Sequence, residues 1–257
     1  PMASLTVCEG QVAQSVENGL PQSADPPSSI PMDLTVCGDL VYFSADDGQN
    51  GRELWSVDVS GHCRLVSDVE DGPKGSNPLS LKDMGSDIVF FSAETALYGR
   101  EAYLHGRLPS DLVFLGDLAP GFAFSGPAPI AAFGHTVFFD AETERGKRFV
   151  YKAATSGKSC TQLSIPSTAD PSNAAMLSDG TLIVARGPQL WKCSQDSVDA
   201  SKFWTDQTAN LPIDHLVPLG TSALFRGCGG GAGSEIWVTD GTAEGTRILR
   251  DMWPGPA

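Results

Sequence analysis

Five stretches of this chain read in register: GDLVYFSADDGQNGRELWSVD (Gly38 to Asp58), SDIVFFSAETALYGREAYLHG (Ser86 to Gly106), HTVFFDAETERGKRFVYKAA (His135 to Ala154), GTLIVARGPQLWKCS (Gly180 to Ser194) and SALFRGCGGGAGSEIWVTDGT (Ser222 to Thr242). Each carries an apolar run, a polar turn and then an aromatic-centred strand. The anchor aromatics are Trp55, Tyr103, Tyr151, Trp191 and Trp237, 48, 48, 40 and 46 positions apart. A period of this size belongs to stacked or radially arranged repeat units.

Working outward from the anchors, each unit divides into about four short apolar stretches bounded by Gly, Asp, Ser and Pro clusters, the signature of strands and tight turns. No stretch carries helical periodicity. Val89, Phe90 and Phe91 follow one another, so both faces of that strand are apolar, as in a sheet sandwiched between two neighbours. The predicted fold is therefore all-β: a five-bladed β-propeller of four-stranded blades with an extra N-terminal strand. Residues 1–28 form a docking strand and Pro/Ser-rich linker, and 29–257 the propeller, in units of about 29–75, 76–123, 124–170, 171–214 and 215–257. The five anchors are assigned to the core between blades, since a residue recurring in every unit suits packing better than sugar stacking.

A second recurrent signature closes three units. LVSDVEDG, FLGDLAPG and ILRDMWPG place Asp68, Asp117 and Asp251 four residues before a glycine. These mark the crossing to the next blade, where Asp can accept bonds from the amides of its own turn and Gly supplies positive φ. The spacing fits no EF-hand loop.

Composition narrows the partners. With 31 acidic against 17 basic residues the formal net charge is -14, which leaves no electrostatic footprint for nucleic acid or anionic lipid. No apolar run approaches the ~18 residues needed to span a bilayer. Cys8, Cys37, Cys63, Cys160, Cys193 and Cys228 form an even set without CxxC or zinc spacing, so they are candidate disulfide cysteines that allow three bridges with the connectivity open, and an extracellular or cell-surface location is expected. No asparagine has Ser or Thr two positions later, which excludes N-glycosylation.

The segment EIWVTDGTAEGTRILRDMWPG (Glu235 to Gly255) resembles the bacterial ELWxxDGTxxGT repeat family, and GRELWSVD (Gly51 to Asp58) is a partial copy. The resemblance implies an extracellular β-repeat scaffold of the kind found in large exported proteins, and it carries over no catalytic residue. Physically, Asp240-Gly241 suits a tight turn, Thr242 and Thr246 favour extended backbone, and Trp237 supplies a large apolar contact.

Catalytic chemistry finds no foothold in the pattern. The candidate innermost strands MDLTVC, LSLKDM, APIAAF, NAAMLS and DHLVPLG lack a paired acid and base, and Asp46, Asp47, Glu94 and Glu142 read as solvated turn residues. His62, His105, His135 and His215 show no metal-ligand spacing. The chain is expected to be no enzyme and to need no cofactor or metal.

The N-terminal SLTVCEGQVAQSVENG (Ser4 to Gly19) aligns without a gap to DLTVCGDLVYFSADDG (Asp33 to Gly48), with seven of sixteen positions identical. It resembles the opening of another repeat, yet a proline-rich linker open to O-linked sugars follows it. Because Thr246 onward already supplies the last unit with its final strand, this strand is surplus. A surplus strand can add to an edge of a neighbouring molecule, and a head-to-tail contact that does not close makes a filament. Leu5, Val7, Cys8 and Val12 are the candidate assembly residues of an extracellular structural protein whose partner is itself. Docking of the same strand on its own propeller, a glycan-binding propeller with carbohydrate as partner, and a propeller glycosidase are the alternatives.

Overall fold

A computed structural model describes residues 28–120, 124–143, 147–157, 159–166, 173–206, 212–229 and 233–253. Twenty strands fall into five sheets of four, each an antiparallel meander in sequence order. Blade 1 comprises β1 (Met32–Cys37), β2 (Leu40–Asp46), β3 (Arg52–Asp58) and β4 (Cys63–Ser67). Blade 2 comprises β5 (Leu79–Asp83), β6 (Val89–Thr95), β7 (Gly99–His105) and β8 (Val113–Phe114). Blade 3 holds β9 (Ala128–Phe133), β10 (Thr136–Glu142), β11 (Arg148–Ala154) and β12 (Cys160–Pro166), and blade 4 holds β13 (Ala174–Met176), β14 (Thr181–Arg186), β15 (Gln189–Ser194) and β16 (Ser201–Thr205). Blade 5 is β17 (Asp214–Leu219), β18 (Ser222–Gly227), β19 (Glu235–Thr239) and β20 (Arg247–Arg250). The chain is a five-bladed β-propeller, as its period predicts. The fifth blade opens at Asp214, one residue inside the stretch assigned to the fourth unit.

Strand alternation gives every blade two faces. On what we call the rear face, the second and third strands set an aromatic or branched residue opposite the anchor: Phe43 against Trp55, Phe91 against Tyr103, Phe139 against Tyr151, Val184 against Trp191 and Phe225 against Trp237. Three of these pairs stack, with centroids 5.5, 5.7 and 6.0 Å apart. The rear faces of blades 2 to 5 pack against the preceding blade. Its forward face, one residue out of phase, offers Tyr42 and Leu54, then Phe90 and Ala102, then Phe138 and Val150, then Ile183 and Leu190. Burying an aromatic or branched side chain in such a junction contributes about 1.5–3 kcal/mol, so these pairs hold the blades together.

The crossings use glycine where backbone meets backbone. Gly51 and Gly75 both sit at φ +67°, and Arg52 bridges Gly75 in parallel. A Cβ on Gly75 would lie 2.3 Å from the Arg52 nitrogen, so no other residue fits. One short 3-10 turn, Pro109–Asp111, precedes β8 and is the helical feature that strand periodicity did not announce.

Of the candidate disulfide cysteines, four of those described are not bridged. Cys37, Cys160, Cys193 and Cys228 are free thiols, while Cys63 is disulfide-bonded. The reason is placement: the four thiols are distributed over four different blades, on β1, β12, β15 and the turn after β18. Burial pushes the Cys37 thiol up to about 12, reinforced by Asp83, and Cys160 up to about 11.

Candidate functional site

The candidate assembly residues Leu5, Val7, Cys8 and Val12 lie outside the described residues. Of the five anchors, Tyr103, Tyr151 and Trp237 are buried, and Trp191 is half-buried against blade 3. Trp55 is half-buried and differs in kind, because it lies on the rear face of blade 1, which among the described residues no apolar core joins to another blade. Val36, Val41 and Val57 form a row across that sheet, beside a row of Phe43, Trp55 and Leu65. Leu34 and Val36 are each 68% exposed.

The forward face of blade 5 is open among the described residues. Leu224 stands in the register position of Tyr42 and Phe90, and Ile236 in that of Leu54. Leu54, Ala102, Val150 and Leu190 are no more than 1% exposed, whereas Ile236 is 43% exposed. Val217, Leu219 and Leu249 extend the same open face. Four apolar cores join consecutive blades, and among the described residues none joins blade 5 to blade 1. The innermost strands likewise touch in the sequence β1, β5, β9, β13, β17. Among the described residues the forward face of blade 5 is thus open and apolar, whereas on the rear face of blade 1 Val36 is exposed, Phe43, Trp55 and Leu65 are half-buried and Cys63 is disulfide-bonded.

At the crossings, the residue that ties one blade to the next is a buried glutamate rather than the aspartate singled out from sequence. Glu53 accepts bonds from the Ser76 hydroxyl at 2.5 Å and amide at 2.6 Å, and from the Val69 and Glu70 amides. Glu101 repeats this with the Ser125 hydroxyl at 2.6 Å, and Glu235 accepts the Met252 amide at 3.0 Å. Asp251 accepts the Trp253 amide of its own turn, while Asp68 is exposed and Asp117 half-buried. All three glutamates stand two residues before an anchor aromatic, a spacing visible in the sequence. Burial pushes Glu101 up to about 7, against the lowering effect of Ser125 and the Leu118 and Ala119 amides.

A channel cavity of about 420 Å³ is lined by Lys82, Ile130, Ala131, Ala174, Ala175, Met176, Leu216 and Pro218. Its ionisable group is Lys82, whose ammonium donates to the Ile130 carbonyl at 2.7 Å and whose pKa is lowered by burial. The turn carboxylates are occupied locally: Asp47 accepts the Gln49 and Asn50 amides, and Glu94 pairs with Lys74 and Arg100. Among the described residues no group of three or more His, Cys, Asp or Glu could hold a metal ion.

No protein-family model and no curated protein matches the sequence. Among solved structures, the β-propeller domain of the Trilobed protease from Pyrococcus furiosus superposes with TM-score 0.56 at 9% identity, over 90% of this chain and 74% of that one. A prolyl endopeptidase gives 0.53 at 9% identity, over 86% of this chain and 35% of that one. A puromycin-hydrolyzing peptidase from Mycobacterium tuberculosis gives 0.52 at 17%, over 88% of this chain and 37% of that one. This chain thus spans well under half the length of both peptidases. At these identities the likeness is one of fold alone.

Proposed function

We propose that the chain is an extracellular structural subunit that assembles head to tail with copies of itself, its N-terminal segment adding to the neighbouring propeller. The observation that carries this reading is the open apolar face of blade 5, where Val217, Leu219, Ile236 and Leu249 are exposed. Exposed apolar patches of this kind mark interaction surfaces. A segment that adds to a different surface of the next copy makes a heterologous contact, and a heterologous contact that does not close on itself propagates as a filament. The disulfide at Cys63 supports an oxidising setting outside the cell.

The test is size-exclusion chromatography with negative-stain microscopy under non-reducing conditions, on the full chain and on one lacking residues 1–19. Filaments formed by the full chain and lost on truncation are expected. Monomers from both preparations would overturn the reading.

A further inference from the structure

A disulfide has two ends, and at Cys63 one of them is on the page. Cys63 is bonded, while Cys37, Cys160, Cys193 and Cys228 are free thiols, and the chain has one further cysteine, Cys8. Cys63 closes a row that crosses the rear face of blade 1, running Val36, Val41, Val57, Cys63 from the innermost strand to the outermost. On the same face Phe43, Trp55 and Leu65 are half-buried and the Trp55 indole nitrogen is buried. Among the described residues no apolar core reaches this face from another blade.

We infer that Cys8 is bonded to Cys63 within the chain, and that this bond fastens the N-terminal segment, Ser4 to Gly19, on the rear face of blade 1. The tether is long enough. Twenty residues lead from Cys8 to Ser28, a length that spans about 65–70 Å at most. The chain enters blade 1 at Ser29, whose carbonyl accepts the Asp46 amide at 3.0 Å, and Arg52 donates to the Ile30 carbonyl at 2.9 Å. Cys63 lies opposite Val57, and from Arg52 to Val57 along β3 is only about 17 Å. A thiol on a tether that spans its site is held there at an effective concentration of roughly millimolar, which favours the bond within the chain over one to a neighbour.

The alignment with blade 1 sets which side of the segment meets the sheet. Cys8 takes the place of Cys37, and Leu5, Val7 and Val12 take those of Leu34, Val36 and Val41. In blade 1 the Cys37 thiol points forward, donating to Asp83 of blade 2 at 3.2 Å, while Val36 and Val41 share the rear face. The same arrangement in the segment turns Cys8 toward blade 1 and Leu5, Val7 and Val12 away from it. Cys37 meets the innermost strand of blade 2, whereas Cys63 is on the outermost strand of blade 1, so the segment lies across the sheet and does not stack on it in the register of a sixth blade. One consequence rests on the self-assembly reading: the outward Leu5, Val7 and Val12 stand at the blade 1 end of the molecule, where the open face of blade 5 on the next copy can receive them.

Peptide mapping of the full chain without reductant tests the bond. Cleavage after glutamate puts Cys8 on residues 1–9, Cys37 on 18–53 and Cys63 on 54–70. After free thiols are alkylated, residues 1–9 should be recovered linked to 54–70, from protein that runs as a single chain on a non-reducing denaturing gel. Cys8 alkylated as a free thiol, or linked to any other peptide, would overturn the inference. The same linked pair recovered from covalent oligomers would place the bond between copies and overturn fastening within the chain. Cys8→Ser in the full chain should leave Cys63 open to alkylation and raise acrylamide quenching of tryptophan fluorescence, a rise that disappears when Trp55→Phe is added. Unchanged quenching would overturn the seat on blade 1. Sedimentation velocity of the mapped protein separates the two readings. A linked chain that stays monomeric keeps the disulfide and removes self-assembly, whereas filaments of a chain whose Cys8 is free do the reverse.

Discussion

At the scale of single residues, the buried glutamates bear most directly on stability. Glu101 is fully buried beside the Ser125 hydroxyl, and burial raises its folded-state pKa to about 7 from an ordinary value of 4.5. A carboxyl raised on folding binds its proton more tightly in the folded state. Its stabilising contribution is thus complete below pH ~4.5 and is lost as pH rises through about 7, a loss of order 3 kcal/mol. Urea midpoints at pH 5 and pH 8 should fall with rising pH in the wild type and fall by less in Glu101→Gln; equal slopes would remove Glu101 as the source. Sequence showed the glutamate at a fixed distance from the aromatic, but its partner stands 24 residues on, in the next blade's lead-in, where no local pattern connects them. The cysteines carry a similar lesson. Count and parity suggested three bridges, whereas position on separate blades leaves four thiols. Alkylation in denaturant without reductant should label Cys37, Cys160, Cys193 and Cys228, and Cys63 only after reduction. In the native state at pH 8, the raised pKa values and burial of Cys37 and Cys160 should make their labelling slow.

At the scale of strands and blades, the anchors made the second and third strands of every unit legible, because a cross-strand aromatic pair is a local feature. The fourth unit illustrates how far this goes. Its spacing of 40 positions reflects a tight hairpin, in which Arg186 pairs with Gln189 across Gly187 and Pro188, and the blade still has all four strands. Blade 2 departs the other way: the 3-10 turn at Pro109–Asp111 shortens its last strand to Val113–Phe114. Which face a residue occupies decides its energetic role, and here internal and terminal blades should differ. Phe91 is fully buried between blades 1 and 2, so Phe91→Ala should cost about 3–5 kcal/mol in a chemical denaturation of the monomer. Ile236→Ala, on the open face of blade 5, should cost under about 1 kcal/mol in the same measurement, since little of its surface is removed from water by the monomer's own fold. Comparable losses at the two sites would mean that blade 5 is already covered within one chain.

At the scale of the whole molecule, the number of blades was readable from the period, but the openness of the series was not. Each unit encodes two sheet faces, and nothing in a unit states whether the last forward face will meet the first rear face. That outcome depends on the summed rotation from blade to blade, which no local residue pattern records. The open face of blade 5 has a consequence for how assembly responds to salt. The open face of blade 5 carries Val217, Leu219, Ile236 and Leu249 together with the exposed Arg226, Arg247 and Arg250, whereas the molecule as a whole carries a formal charge of -14. Bringing two such copies together is opposed by long-range repulsion that 0.15 M salt screens beyond about 8 Å. Raising ionic strength from about 0.01 M to 0.15 M should therefore strengthen association, seen as a shift of the sedimentation distribution toward larger species at fixed protein concentration. A shift toward monomer would mean that opposite charges, rather than the apolar face of blade 5, hold neighbouring copies together.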